Sequence, residues 1–176
     1  MRCGKAYPRD LPIDSRGCPR CFPEAPSNLK INYDAIRISG TLPRVSAASP
    51  SISSLWRYAD MLPSASRGPV SLGEGLTPLL PAGRIGEQIG VPNLLIKDEG
   101  RNPTWSHKDR FSTVAVTAAR GHGASVVATA SSGNAGASLA AYAAEAGLRC
   151  VVATFAGTTG PMLSQIRKYG ASVVLL

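Results

Sequence analysis

SVVATASSGNAGASLAAYAAEAGLRCVVATF, residues 125–155, decides the fold. A Val-rich run without polar alternation, Ser125 to Ala130, leads into a stretch of helical content, Asn134 to Ala146, and then into a second such run, Arg149 to Phe155. Uninterrupted apolar runs of this length suit parallel strands covered on both faces. Gly147 stands where a helix C-cap is expected, because a left-handed residue there costs glycine nothing. The pattern repeats downstream. Pro161 to Tyr169 is helical by content, with a proline suited to a first helical turn, Gly170 follows as a second cap, and Ser172 to Leu176 is a third run. A weak refrain, Gly then Val-Val, recurs from Gly123, Gly147 and Gly170. The unit is β-α-β-α-β, and right-handed crossovers make an open parallel sheet with flanking helices, an α/β fold, its expected form.

Upstream, Leu94 to Lys97 reads as a further strand and Asp109 to Arg120 as a helix with Phe111, Val114, Ala115 and Ala118 on its core face. Lys108 falls just ahead of that helix, inside NPTWSHKDR at 102–110. An isolated lysine there is usually a solvated helix-start residue. Here Pro103 fixes the approach, Thr104 and Ser106 offer hydroxyls to free backbone donors, and Asp109 faces the positive end of the helix dipole. The second motif, SSGNAG at 131–136, lies between a strand end and a helix start, where free amides attract anions. Glycine at 133 and 136 allows backbone to approach a ligand, the serines add hydroxyls, and Asn134 offers an amide for capping or for a ring oxygen. A dinucleotide fingerprint fails for lack of G-x-G-x-x-G, and a P-loop for lack of Gly-Lys-Ser/Thr.

With both motifs in view, the chain resembles the pyridoxal-phosphate enzymes of fold type II, and within them the threonine synthase group. EGLTPL at 74–79 is similar to that group's EGxTPL, KDEGRNPTWSHKDR at 97–110 to its lysine motif, and SSGNAGAS at 131–138 to its asparagine loop. The resemblance implies a Schiff base between pyridoxal 5'-phosphate and Lys108, and a bond from Asn134 to the cofactor's 3-hydroxyl oxygen. It implies that Ser131, Ser132, Gly133, Ala135 and Gly136 hold the substrate carboxylate. The implied substrate is O-phosphohomoserine, converted to threonine and phosphate. A threonine/serine dehydratase-type lyase and a non-catalytic remnant or interaction module are the alternatives.

Two departures bear on the pocket. The family commonly has glycine and phenylalanine where this chain has Trp105 and His107, so Trp105 is expected to reshape the pocket floor and His107 to serve as a packing residue rather than a proton carrier. Asp109 after the lysine favours the synthase group. The resemblance also implies a phosphate-binding glycine loop and a ring-nitrogen partner later in a longer chain, so weak or absent turnover is expected of these 176 residues alone.

The N-terminal part has a different texture. Residues 1–38 hold Cys3, Cys18 and Cys21 and end in an expected short strand, Leu29 to Tyr33; residues 39–70 are a Ser/Pro-rich connector with one short amphipathic helix, Ile52 to Ala59; and residues 71–176 carry the motifs above. Cys3-Gly4 and Cys18-Pro-Arg-Cys21 are spaced like the end of one knuckle and the whole of the next in a zinc ribbon. One cysteine of the four is missing. A partial zinc-ribbon-like arm is preferred over unrelated thiols, with zinc occupancy left open and the missing ligand counting against it. Cys150, within a strand, reads as a buried apolar residue.

Net charge is +8, with ten Lys/Arg against five acids in residues 1–70 and nine against six in 71–176. Neither part has a basic run or basic residues interleaved with aromatics, so the charge reads as solvated surface and no nucleic-acid partner is expected. No apolar window reaches the length of a membrane span and the N-terminus lacks a secretory signal, which points to the cytoplasm. The expected partners are a small anionic amino-acid substrate and, among proteins, a homo-oligomeric copy or a complementing C-terminal chain.

Overall fold

The structure, a computed structural model, describes residues 3–8, 16–32, 53–62 and 68–176. The chain divides into two compact units, Met1–Leu42 and Pro43–Leu176. In the first unit, Gly17 and Ser27 form an isolated parallel bridge, and the turn from Cys18 to Ala25 is closed by amides of Cys21 and Phe22 donating to the Cys18 carbonyl. The strand expected at Leu29 to Tyr33 is not formed over residues 29–32, and Tyr33 lies outside the described residues. No neighbouring strand pairs with it there among the described residues, and extended backbone without a ladder is not a strand.

The second unit is built on three parallel strands, β3 (Val126–Ala130), β4 (Arg149–Thr154) and β5 (Ser172–Leu175), in that spatial order. Val127 lies opposite Cys150, and Val152 opposite Val173. Helix α3 (Asn134–Glu145) packs on β3 and β4, α4 (Gly160–Lys168) on β5 and α3, and α2 (Lys108–Gly121) on α3. The sequence expectation holds for these elements to within two residues at each end. Gly147 and Gly170 close α3 and α4 at φ +68° and +88°, left-handed values that disfavour any side chain.

Sheet coverage differs from the expectation. Val127, Cys150, Val152 and Val173 turn towards the helices, into a core with Val116, Ala137, Ala140, Tyr142 and Ile166, whereas Val126 and Val174 on the opposite face stay exposed. Side chains alternate across a strand, so a run of valines fills both faces whether or not helices cover both. The strand Leu95–Lys97 (β2) lies outside this sheet and pairs antiparallel with Leu79–Pro81 (β1), around the short helix α1 (Gly83–Gln88).

Helix α2 buries a face other than the expected one. Asp109, Ser112, Thr113, Val116 and Thr117 are inside, while Phe111 is 66% exposed and Val114, Ala115 and Ala118 are only part-buried. Hydrogen bonding explains the reversal: irregular backbone packs on this helix and needs partners that aliphatic side chains lack. Thr117 accepts from the Val70 amide at 2.8 Å, and Thr113 donates to the Val70 carbonyl at 2.6 Å while accepting from the Trp56 indole at 2.7 Å. Trp56 sits in a 3₁₀ helix, Leu55–Met61, capped by Ser54, rather than in the helix expected from Ile52; Ile52 lies outside the described residues. Among the described residues, no helix is long and apolar enough to cross a membrane.

Candidate functional site

Lys108 is the first residue of α2, half-buried, its amide donating to Ser106 Oγ at 3.2 Å. That hydroxyl satisfies one of the amides a helix start leaves free. The carboxylate of Asp109, fully buried, accepts from the Thr104 amide at 2.7 Å and from the hydroxyls of Thr104 and Ser138. Thr104 therefore donates to Asp109 instead of capping backbone. The Ser138 hydroxyl, 2.6 Å from Asp109, also reaches Ser112 at 2.8 Å. Ser138 lies one turn beyond Asn134, so this bond joins the N-terminal turns of the two helices that carry Lys108 and Asn134. Since α3 starts where β3 ends, both helix starts lie at the carboxyl edge of the parallel strands, the usual side for a ligand in an open α/β sheet.

The 131–136 loop is organised by Ser131. Its Oγ accepts from the amides of Gly133 at 3.2 Å and Gly136 at 3.0 Å, and it serves the capping role that the sequence suggested for Asn134, which instead is the first helical residue. The amides of Ser132, Asn134 and Ala135 have no hydrogen-bond partner among the described residues. A side chain added at Gly133 would meet nothing within 4 Å, which leaves that stretch of backbone open to a ligand. Gly136 has another role. A Cβ there would stand 3.0 Å from Val152 Cγ1 and 3.3 Å from Ile166 Cδ1, so its bareness lets α3 press onto the sheet rather than onto a ligand.

Trp105 has φ +62° and is 71% exposed. A non-glycine residue in that left-handed region is strained, which gives a physical reason for the glycine common at this place in the family that the sequence resembles. His107 is exposed at the N-cap of α2, which corrects the expectation that it packs inside. It lies at the helix start, where no other element among the described residues closes over it.

The charged residues flanking the lysine form a network that the sequence did not disclose. Glu99 accepts from Arg110 Nε at 2.7 Å and Nη2 at 2.8 Å, and from Thr77 Oγ1 at 2.8 Å. Arg110, with those hydrogen bonds from its guanidinium, holds the Glu99 carboxyl down at about 2, and the same pairing raises Arg110. Asn102 donates to Glu99 and accepts from the Gly75 amide at 3.0 Å, and Lys97 Nζ donates to the Thr77 carbonyl. Glu74, fully buried, accepts from Ser71, from the Leu72 amide and from the Tyr142 hydroxyl at 2.8 Å. Burial, then the bond to Glu74, pushes the Tyr142 hydroxyl well above the usual phenol range. All these acids lie inside motifs visible in the sequence; what was missing was each one's partner, which only the fold supplies.

In the first unit, Cys3, Cys18 and Cys21 come together, their sulfurs all within 4.8 Å of one another and none in a disulfide. Cys3 and Cys18 are 3.7 Å apart, and the Tyr7 hydroxyl lies 3.3 Å from Cys18 Sγ. That hydroxyl, assisted by the Cys21 and Arg20 amides, draws the Cys18 thiol down to about 6. Cys21 is raised, chiefly by its hydrogen bond to Cys3. Cys150 is buried in β4 as expected, and burial raises its thiol.

The family model described as "Pyridoxal-phosphate dependent enzyme" matches residues 70–176. The threonine synthase of Methanosarcina acetivorans is 39% identical over 99% of this chain and 41% of its own length. That of Methanocaldococcus jannaschii is 38% identical over 99% of this chain and 42% of its own. The chain thus spans about two fifths of the length of these curated relatives. Among solved structures, a pyridoxal 5'-phosphate-dependent aspartate racemase superposes with a TM-score of 0.52 at 27% identity, over 56% of this chain and 32% of that one.

Proposed function

The chain belongs to the pyridoxal-phosphate dependent enzymes, and on that premise we propose that it is a threonine synthase-like lyase acting on O-phosphohomoserine and water to give threonine and phosphate. One observation supports the reading above the others: the 2.6 Å bond from Ser138 to Asp109 ties the first turn of Lys108's helix to the second turn of Asn134's. The group itself is compatible with the loop, where unpartnered amides and the open side of Gly133 leave room for an anionic ligand. When bound, pyridoxal phosphate supplies an aldehyde for amines to condense with and a conjugated ring that accepts electrons left on carbon.

Lys108 is the chain's amine at that position, and its Nζ holds and moves protons at the substrate's α and neighbouring carbons. Asn134 offers its side-chain amide to the ring's hydroxyl oxygen. The amides of Ser132, Asn134 and Ala135, with the backbone of Gly133, take the substrate carboxylate, and Ser131 keeps them aimed by holding Gly133 and Gly136. Gly136 contributes by close packing rather than by contact. The finer reading of the N-terminal unit is a partial zinc-ribbon-like arm, supported by the gathered sulfurs of Cys3, Cys18 and Cys21. The enzyme's expected place of work is the cytoplasm.

Mixing the purified protein with pyridoxal phosphate tests the reading. A visible absorption band is expected, and it should vanish in Lys108→Ala. No band, or a band indifferent to that substitution, overturns the cofactor residue. Product analysis then separates the chemistry: threonine formed from O-phosphohomoserine supports the synthase, whereas ammonia released from threonine makes the protein a dehydratase.

A further inference from the structure

We infer that Asn102 is a positioning residue for Lys108: the backbone leading into α2 and the Arg110 side chain on its first turn are both held through it. The inference rests on the reading of Lys108 as the residue that meets the cofactor, and adds the group that places it.

Asn102 is 2% exposed, and both ends of its side-chain amide are engaged. Its Oδ1 accepts from the Gly75 amide at 3.0 Å, and its Nδ2 donates to the Glu99 carbonyl at 2.9 Å and to the Glu99 carboxylate at 3.0 Å. These partners fix which way the amide faces, since a backbone N–H only donates and a carbonyl or carboxylate only accepts. Aspartate, of nearly the same shape, would keep the acceptor for Gly75 and lose the donor for Glu99.

Two routes run from Asn102 to Lys108. Along the backbone, the Asn102 carbonyl accepts from the Trp105 amide at 2.8 Å, closing a turn in which Trp105 stands at φ +62°. Strained backbone persists where its surroundings over-determine it, and Thr104 and Ser106 on either side are both 4% exposed. Through side chains, the carboxylate that Asn102 engages accepts from Arg110 Nε at 2.7 Å and Nη2 at 2.8 Å, two residues beyond Lys108. Lys108 is thus bracketed by Trp105 and Arg110, and both brackets meet at Asn102. Segment 74–77 closes the clasp. Arg110 Nη2 donates to Thr77 Oγ1 at 3.1 Å, and a Cβ added at Gly75, φ +99°, would stand 3.5 Å from Arg110 Nη1. Holding a helix start from both sides fixes its tilt as well as its place, and a misplacement of about 1 Å costs a reacting group roughly 100-fold.

The full chain is titrated with pyridoxal phosphate by its visible band, then reduced with borohydride so that the fraction of bound cofactor attached to Lys108 is read by peptide mass. Asn102→Asp should weaken binding roughly 100-fold and lower the attached fraction of the cofactor that stays bound. Combining Asn102→Asp with Glu99→Gln again sets a donor against an acceptor, the Gln nitrogen facing the Asp and its oxygen facing Arg110, and should recover most of the loss. Thr113→Val breaks buried hydrogen bonds to Val70 and Trp56 on the same helix, and should lower the urea midpoint while leaving the attached fraction unchanged. An attached fraction in Asn102→Asp equal to that of the original protein, or one lowered as much by Thr113→Val, overturns the inference and leaves the cofactor reading standing. A folded double variant that attaches no cofactor overturns it too, whether or not Asn102→Asp alone folds. No band in the original protein overturns the cofactor reading, and this inference with it.

Discussion

Helices α2 and α3 begin with the two motif residues, Lys108 and Asn134, yet they are held in opposite ways. The inner face of α2 is mainly polar: Asp109, Ser112, Thr113 and Thr117 are buried with Val116. That of α3 is mainly apolar, with Gly136, Ala137, Leu139, Ala140, Ala141 and Ala143 buried beside Ser138 and Tyr142. The first is positioned by directional bonds to irregular backbone, the second by closeness to the sheet. Hydrogen bonds fix an orientation and leave expensive orphans when broken, whereas close packing fixes a distance and resists added volume.

The largest effect should come from breaking the polar side. Asp109→Ala leaves the Thr104 amide and the hydroxyls of Thr104 and Ser138 without their acceptor and should cost about 3–4 kcal/mol in urea unfolding. It should also weaken the visible cofactor band by loosening Lys108 relative to Asn134. On the packed side, Gly136→Ala should cost about 2 kcal/mol, the steric strain against Val152 outweighing the gain in helix propensity. Shortening the neighbour sharpens the test: in the double variant with Val152→Ala the two costs should sum to less than their separate values.

A smaller effect should appear at the Glu99–Arg110 pair, part-open to solvent, where Glu99→Gln should lower stability by about 1 kcal/mol at neutral pH. Because the folded carboxyl is held near 2 against an ordinary 4.5, its contribution is full above about 4.5 and is lost as pH falls towards 2. Unfolding midpoints measured across that window should converge for the original protein and the variant at the acid end. Smallest of all, Trp105→Gly should stabilise by about 0.5 kcal/mol, relief of the left-handed strain exceeding the added freedom of the unfolded chain.

The comparison also separates what the sequence made legible from what it did not. The Val-rich runs, the glycine caps and the positions of Lys108 and Asn134 at helix starts follow from local patterns, and the structure forms them locally. The buried face of α2 does not. Phe111, Val114, Ala115 and Ala118 make the better apolar stripe, but Thr113 and Thr117 lie inside because Val70 and Trp56, distant in sequence, need their hydroxyls. Gly136 was likewise assigned to a ligand because its motif is shared with anion-binding loops, and only the proximity of Val152 shows its packing role. The exposed outer face of β3–β5 was hidden because buried and open valines are spelled alike.

Trp56 and Trp105, the chain's two tryptophans, differ most in their surroundings: one is 4% exposed and bonded to Thr113, the other 71% exposed three residues before Lys108. The protein therefore carries two optical probes of different colour, a blue-shifted one reporting the seating of the 3₁₀ helix on α2 and a water-relaxed one close in sequence to Lys108. Excited at one wavelength, a single sample reports unfolding of the first and occupancy of the second as separate signals.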